Sequence, residues 1–387
     1  MTNQTCKAAV LTKRHTIEVM DVQMPECGRD GMIIKLEAAS ICGTDLHLFE
    51  EDPAYPVILG HELCGRVVEM GPDAAKSMRC YTGEVKLGDR ICLYPWVVCG
   101  TCENCLTYGI GACGVCDNSF VYGVPYESLG FGGAPIRSNS IYEAPYIKGG
   151  FGEYMYVFPG TFMWQVPDDM PSNVASLLDP MAVAMRGVEL AMRAPGIFED
   201  SFNLGSTALV IGDGQIAALV ATIARTLGIQ HIIISGFSDQ KLQLSGADEV
   251  MNSSKLSIEE RRAIIHKYNH KNGADVVFQC AGSQYAFRDG VDLLKNVGTL
   301  VEIGNIGTGK PVEFYPGKDL CGKHATYIGM SVNTAKTFDK AFQMLLKYKQ
   351  LGLERIFSHR ATLDTLGEVM SHGKDLDYMK GWLDFSK

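Results

Sequence analysis

The sequence of 387 residues has little that would suit it to a nucleic acid or to a membrane. Lys and Arg number 35 against 44 Asp and Glu, which gives a net charge of −9. This acidic balance, without a basic run, argues against nucleic acid and anionic lipid surfaces as partners. The longest apolar stretches, such as IAALVATIA, fall far short of the roughly 20 residues of a membrane-spanning helix. We therefore expect no nucleic-acid partner and no membrane partner.

A secretory signal and a disulfide framework are also missing. The N-terminal MTNQTCKAAV has neither the charged nor the apolar region of a signal peptide. The 13 cysteines are odd in number and suggest no paired framework. We interpret the cysteines outside the candidate metal sites as reduced, mostly buried thiols: Cys6, Cys27, Cys64, Cys80, Cys92, Cys116, Cys280 and Cys321. These features predict a cytoplasmic protein.

The distribution of apolar residues predicts two domains in an α/β protein, since 387 residues exceed a typical single core. Residues 1–180 contain short alternating runs cut by Gly, Pro and Asp, which is typical of a β-rich domain. Residues 181–331 alternate buried-looking strands with helical segments, which is typical of a doubly wound parallel sheet. Residues 332–387 contain an amphipathic helix and end in a short strand-like run.

One short loop has the cysteine spacing of a closed zinc site. Cys99, Cys102, Cys105 and Cys113 follow one another in VCGTCENCLTYGIGAC. Four thiolates around Zn²⁺ leave no open coordination position, which is the arrangement of a structural site. We expect this loop to hold a structural zinc ion.

A second, mixed-ligand metal site lies upstream of that loop. Cys42 in ICGTDLH and His61 in GHE supply a thiolate and an imidazole, and the third ligand is either Glu62 or Asp179. Three protein ligands and an open position make a catalytic zinc site. Such an ion lowers the pKa of a bound water from about 15.7 to about 7, and an alkoxide releases hydride more easily than an alcohol. Two metal sites of different kinds favour a zinc enzyme.

The segment VIGDGQIAALVATIARTLG matches the G-x-G-x-x-A pattern of a dinucleotide-binding turn, with Gly212, Gly214 and Ala217 in the three small positions. The first glycine allows the tight turn, the second lets a pyrophosphate approach the backbone, and the small third residue permits close helix packing. The helix that begins at Gln215 and Ile216 then offers free N–H groups to the phosphates.

Cofactor choice depends on the end of the second strand of this domain, in HIIISGFSDQK. The position where a carboxylate would accept hydrogen bonds from the ribose 2′-hydroxyl is Gly236. Without a carboxylate a 2′-phosphate is not repelled, and Ser238 and Lys241 could bind it. The pattern therefore favours NADP over NAD, and the alternative is that Asp239 reaches the ribose.

Taken together, these motifs resemble those of the zinc-dependent medium-chain alcohol and polyol dehydrogenases. The matching features are ICGTDLH, GHE, the four-cysteine loop, the nucleotide turn and the pair Asp179-Pro180, and they span nearly the whole chain. The resemblance implies a GroES-like catalytic domain in residues 1–180, a Rossmann domain in residues 181–331, and a return segment in residues 332–387 that completes the catalytic domain.

The resemblance also implies roles for individual residues. Cys42, His61 and Asp179 would hold the catalytic zinc, with Glu62 close enough to exchange onto it or tune it. Asp45 would orient His61 as a carboxylate behind a metal-bound imidazole does.

Around that metal, Thr44 would bridge the substrate oxygen to the nicotinamide ribose, and His47 would pass the proton to solvent. Lys380 would contact the cofactor pyrophosphate, and Trp96 would line the substrate cleft. A homodimer or homotetramer is implied as well.

The leading hypothesis is a zinc-dependent, NAD(P)-dependent oxidation of a small alcohol, either a secondary alcohol or a polyol, with an apolar or aryl part as an option. A second hypothesis is a zinc-independent quinone or enone reductase on the same scaffold. A third is a non-enzymatic, zinc-binding regulatory module built around the four-cysteine loop. Zinc content and dinucleotide binding discriminate among the three.

Overall fold

The computed structural model describes residues 4–109, 115–125, 136–194, 203, 205–304 and 311–385. The chain divides into two compact units. The first unit joins Met1–Asp179 to Asn333–Lys387, and the second unit is Pro180–Val332. The first unit is therefore discontinuous in sequence, and the second is one continuous insertion.

The N-terminal part of the first unit is built from short strands and short helices, because turn residues repeatedly end its alternating apolar runs. These elements are β1 (Thr5–Lys13), β2 (Thr16–Gln23), β3 (Met32–Ser40), α1 (Gly43–Phe49), β4 (Val57–Ile58), β5 (Glu62–Met70), α2 (Ala74–Ser77), β6 (Arg79–Cys80), β7 (Arg90–Leu93), β8 (Trp96–Val98), α3 (Glu103–Tyr108), β9 (Ser119–Val121), β10 (Tyr154–Val157), β11 (Phe162–Gln165) and α4 (Ser172–Ala175). Helix α5 (Leu178–Met192) begins at the end of this part and continues into the second unit.

A short break separates the two helices α4 and α5. Helix α4 ends at Ala175 and is capped by Ser176, whose hydroxyl donates to the carbonyl oxygen of Asn173 at 2.6 Å. Helix α5 begins at Leu178. A serine hydroxyl that bonds to a backbone carbonyl in this way competes with the backbone hydrogen bonds that would continue the helix. The break places Asp179 in the first turn of α5.

The second unit alternates strands with helices: β12 (Thr207–Ile211), α6 (Gln215–Thr226), β13 (His231–Gly236), α7 (Asp239–Leu244), β14 (Glu249–Asn252), α8 (Ile258–Asn269), β15 (Ala274–Gln279), α9 (Gln284–Leu293), β16 (Leu294–Glu302), a π-helix (Pro316–Cys321) and β17 (Thr326–Gly329).

These strands form a parallel sheet in the order β14-β13-β12-β15-β16-β17. All residues of β12 and β15 are buried, as expected for central strands covered on both faces. The strand order reverses beside β12, and the crevice beyond the carboxyl ends of such strands is where doubly wound sheets bind nucleotides. The predicted doubly wound domain is confirmed.

The chain then returns to the first unit through α10 (Ala335–Leu345), α11 (Tyr348–Leu351), a 3₁₀ helix (Leu353–Ile356), β18 (His359–Ala361), α12 (Leu366–Ser371) and β19 (Gly381–Asp384). Strand β19 pairs antiparallel with β3, and the main sheet of this unit runs β18-β19-β3-β5-β7-β11-β6, with β10 also pairing with β3. The C-terminal segment is therefore an integral part of the first unit's sheet.

Aromatic packing also ties the return segment to this sheet. Phe338 on α10 lies 4.7 Å from the ring of Tyr94 and 5.6 Å from the ring of Trp164. Across the described parts of both units, the helices are too short or too polar to span a bilayer.

Candidate metal centres and active site

Strand pairing brings the first candidate metal site together. Cys42 follows β3 and caps the N-terminus of α1, while His61 and Glu62 stand at the start of β5. Strands β3 and β5 pair antiparallel with Ser40 opposite Glu62, so the end of one strand meets the start of the other. The ligand atoms of Cys42, His61 and Glu62 lie within 4.8 Å of one another.

Asp179 reaches the same place from the first turn of α5. Its Oδ2 lies 3.9 Å from Nε2 of His61, and its Oδ1 accepts a hydrogen bond from the Asn333 side chain at 3.4 Å. Both carboxylates named as possible third ligands thus lie beside the imidazole.

Lys380 also lies at this site. Because β19 pairs with β3, the Lys380 ammonium reaches the end of β3, where it forms an ion pair with Glu62 and donates to the carbonyl oxygen of Ile41 at 3.0 Å. Lys380 is 0% exposed and Glu62 is 2% exposed. The contact of Lys380 with the cofactor pyrophosphate stays a prediction, and the structure adds the ion pair with Glu62.

This buried ion pair carries a stability prediction. Lys380→Met leaves the Glu62 carboxylate buried without its cation, which we expect to lower the free energy of unfolding by about 3–5 kcal/mol. The double variant Lys380→Met/Glu62→Gln should recover most of that loss. Urea unfolding of the zinc-loaded protein measures both, and Lys374→Met, at an exposed ion pair with Glu50, is the control that should change little. A single variant as stable as the wild type would contradict the pairing.

Asp45 lies behind His61, on the side of the imidazole away from Asp179. Its Oδ1 is 3.6 Å from Nδ1 of His61, and its two oxygens accept hydrogen bonds from the backbone N–H groups of Cys42 at 2.8 Å and Gly60 at 3.2 Å. Nδ1 of His61 is buried without a hydrogen-bond partner among the described residues. The geometry leaves Nε2 directed at the candidate metal position, with Asp45 placed to hold the ring.

The electrostatics of this cluster fit a divalent cation. Burial raises the pKa of the Cys42 thiol, and the neighbouring Glu62 raises it further. Burial raises the pKa of Asp179 to about 7, against the attraction of His61. The pKa of His61 is raised even though burial opposes it, because Asp45 and Cys42 surround the ring. Several acidic groups crowd one imidazole, and a sulfur, nitrogen and oxygen donor set is one that Zn²⁺ accepts.

Helix α1 presents the residues assigned to proton transfer. The Cys42 thiol donates to Oγ1 of Thr44 at 3.7 Å, so Thr44 lies beside a candidate metal ligand. His47, further along the same helix, is exposed. Trp96 is 7% exposed in β8, which pairs with β9 through Val121. Its place in a substrate cleft stays a prediction.

The second candidate metal site consists of Cys99, Cys102, Cys105 and Cys116, whose sulfur atoms lie within 4.8 Å of one another. Cys113, the fourth ligand predicted from spacing, lies outside the described residues. Cys116 is a buried free cysteine, as the sequence indicates, and it also lies within this group of sulfur atoms.

Strand register explains why Cys116 joins the cluster. Strand β9 pairs with β8 so that Ser119 faces Val98, which returns the chain to Cys99. The Cys116 sulfur then lies 3.5 Å from the backbone nitrogen of Cys99.

The surroundings of Cys99 stabilise its thiolate form. Burial works against its charged form, but the N–H groups of Thr101 and Cys102, at 3.5 and 3.4 Å from its sulfur, outweigh this and lower its pKa to about 6. A thiolate is the form that binds a metal. The four-sulfur set leaves no open position and fits a structural zinc ion.

The glycine-rich turn connects β12 to α6. Gly212 has φ of +128°, which disfavours other residues, and a Cβ there would lie 3.3 Å from the carbonyl carbon of Cys280. Gly214 caps α6, and a Cβ at Gly214 would meet nothing within 4 Å. Gln215 and Ile216 begin the helix, and Oε1 of Gln215 is buried without a hydrogen-bond partner in the described part of the chain. This cradle fits a pyrophosphate at the helix N-terminus.

The residues assigned to a 2′-phosphate already have partners. Ser238 caps α7, with its hydroxyl accepting from the Lys241 backbone N–H at 3.4 Å. The Lys241 ammonium lies 3.1 Å from Oδ1 of Asp213, a residue inside the glycine-rich turn.

Comparison with known proteins agrees with both units. Residues 28–168 match the alcohol dehydrogenase GroES-like domain, and residues 216–347 match the zinc-binding dehydrogenase domain. This chain belongs to the zinc-dependent medium-chain alcohol dehydrogenase family. The family acts on CH–OH groups, and the chain is an oxidoreductase that transfers hydride between an alcohol and a nicotinamide cofactor.

Individual relatives span the whole chain. An L-threonine 3-dehydrogenase from Anaeromyxobacter is 27% identical over 97% of this chain and 99% of its own. A solved alcohol dehydrogenase from Thermotoga maritima is 27% identical with a TM-score of 0.85, covering 99% of this chain and 100% of that one. A protein described as a zinc-binding dehydrogenase from Sinorhizobium meliloti, solved with NADP, is 27% identical with a TM-score of 0.78 and covers 99% of this chain and 100% of its own.

Proposed function

We propose that this chain oxidises a secondary alcohol to a ketone, with the first unit as the catalytic domain and the second unit as the dinucleotide-binding domain. The observation that carries the proposal is the convergence of Cys42, His61 and Glu62, whose ligand atoms lie within 4.8 Å of one another. Asp179 lies 3.9 Å from the same imidazole, and Asp45 lies behind it. A zinc-independent reductase would have no use for such a set of metal donors.

Cys42, His61 and Asp179 would hold the catalytic zinc. Glu62 is the weaker candidate for the third position, because Lys380 already neutralises it. When bound, zinc supplies a Lewis acid that polarises the substrate hydroxyl. A second, structural zinc ion would be held by Cys99, Cys102, Cys105 and Cys116.

The chain's own residues would remove the proton. The Thr44 hydroxyl, beside Cys42, accepts the hydrogen bond of the substrate hydroxyl and orients it. His47 is exposed on the same helix and delivers the proton to solvent. Trp96 would form an apolar wall of the substrate cleft.

A secondary alcohol is preferred over a polyol as the substrate because relatives that align over nearly the whole chain are L-threonine 3-dehydrogenases, and L-threonine carries its hydroxyl on a secondary carbon. The hydride acceptor is a nicotinamide dinucleotide. Gly236 carries no carboxylate, which by itself favours NADP. Asp213 brings a carboxylate next to Gly236, and this favours NAD instead.

We also propose a homodimer or homotetramer in the cytoplasm. The cysteines that the structure describes are all free thiols, which suits a reducing compartment.

An oxidation screen tests the function. L-threonine, simple secondary alcohols, polyols and primary aryl alcohols would each be assayed with NAD and NADP, using zinc-loaded protein and protein stripped by a chelator. We expect secondary alcohols to be oxidised fastest, activity to vanish with the metal, and zinc to restore it. Undiminished oxidation by protein shown to contain no zinc would refute the mechanism, and inactivity towards every alcohol would refute the function.

A further inference from the structure

A carboxylate from the glycine-rich turn occupies the end of β13. Oδ2 of Asp213 accepts hydrogen bonds from the backbone N–H groups of Phe237 and Ser238, both at 2.8 Å. Oδ1 of Asp213 lies 3.1 Å from the Lys241 ammonium. The side chains of Asp213 and Lys241 are 15% and 11% exposed, so water screens this pair only weakly.

The side chain of Asp213 leaves no room for a side chain at position 236. A Cβ on residue 236 would lie 2.6 Å from Cβ of Asp213 and 2.9 Å from its Oδ2, closer than real Cβ atoms approach. The side chain of Asp213 therefore fills the space in which a side chain at the end of β13 would begin. The carboxylate that the sequence lacks at this strand end is supplied from the neighbouring turn.

The groups that bind Asp213 are those that would bind a phosphate. Two backbone N–H groups and a lysine ammonium are a donor set suited to an anion. In this structure Asp213 already accepts from all of them. A 2′-phosphate would meet a carboxylate of like charge, which is unfavourable. A 2′-hydroxyl would not, because the two oxygens of a carboxylate offer about four lone-pair sites and can accept a further hydrogen bond.

We propose that Asp213 is the residue that determines cofactor specificity, favouring the 2′-hydroxyl of NAD and excluding the 2′-phosphate of NADP. The proposal rests on the proposed function, since it requires a dinucleotide at the glycine-rich turn. It reverses the preference drawn from Gly236 alone.

Asp239, the other carboxylate after β13, is a poorer candidate. Its Oδ1 accepts from the Asn252 side chain at 2.6 Å, and its Oδ2 is ion-paired with Lys255. Its side chain is 60% exposed. Asp239, at the start of α7, therefore provides a matched control, because it is a carboxylate near the same strand end that already pairs with a cation at the surface.

Binding of NADH and NADPH to the zinc-loaded protein, followed by nicotinamide fluorescence without substrate, tests the proposal. We expect the wild type to bind NADH at least about 10-fold more tightly than NADPH. Asp213→Asn keeps the shape of the side chain but removes its charge, and we expect it to shift the ratio towards NADPH by about 10-fold to 100-fold. Asp239→Asn should leave the ratio unchanged. Circular dichroism checks folding, with Asp213→Ser as a second variant.

The outcomes separate this proposal from the function on which it rests. A wild type that prefers NADPH, or an Asp213→Asn variant with an unchanged ratio, overturns the role of Asp213 and leaves the dehydrogenase function standing. A wild type that binds neither dinucleotide overturns the proposed function, and the role of Asp213 with it.

Discussion

Cys42→Ala is expected to lower kcat/KM for alcohol oxidation by about 10³-fold or more, because a Lewis acid contributes several kcal/mol to stabilising the transition state. The variant loses the thiolate from the group that Cys42 forms with His61 and Glu62, beside Asp179. Steady-state kinetics with excess zinc, together with zinc content by mass spectrometry, measures the effect. The fold should survive, since Cys42 lies after the end of β3 and outside the strands of the main sheet.

The control for this variant is Cys321→Ala, at an exposed cysteine of the second unit. It should keep wild-type activity and wild-type zinc content. If Cys42→Ala retained activity within about 10-fold of the wild type, the thiolate would not hold a metal that the chemistry needs.

Cys116→Ala should act on stability instead of chemistry. Removing one sulfur from the closed four-cysteine site is expected to release the structural zinc and to lower the free energy of unfolding by at least about 3 kcal/mol. Thermal unfolding and zinc stoichiometry measure the two effects. The Cys42 variant should show the opposite pattern, with a large loss of turnover and a small change in stability.

The matched comparison for Cys116 is Cys113, which the cysteine spacing alone predicts as the fourth ligand. Cys113→Ala should keep both zinc ions and wild-type stability. The reverse result, with Cys113→Ala losing zinc and Cys116→Ala keeping it, would show that the fourth ligand is not the one that strand register indicates.

The fold could be predicted from the sequence because its periodicities are local. The all-buried runs of β12 and β15 and the short alternating strands of the first unit are each legible within a few residues. The motifs around Cys42 and His61 could be found in the same way, since the chemistry of zinc demands those side chains. What the sequence could not reveal is which side chains meet through strand pairing.

Cys116, Lys380 and Asp213 show this limit. Cys116 joins the metal cluster because Ser119 pairs with Val98, and nothing in the spacing of the cysteines encodes that register. Lys380 meets Glu62 because β19 pairs with β3.

Asp213 occupies a position that the glycine pattern leaves variable, so the pattern assigns no role to its carboxylate. Gly236 does indicate a neighbour of this kind, because a glycine at the end of a strand often marks a close approach by another group.

The central claim is that one chain holds two zinc ions of different kinds, and an anomalous diffraction map collected at the zinc absorption edge tests it most directly. The account predicts two peaks per chain. One should be bound by Cys99, Cys102, Cys105 and Cys116, and the other by Cys42, His61 and Asp179 with an open position. A map without a peak between Cys42 and His61, or with that ion enclosed by four protein ligands, would contradict it.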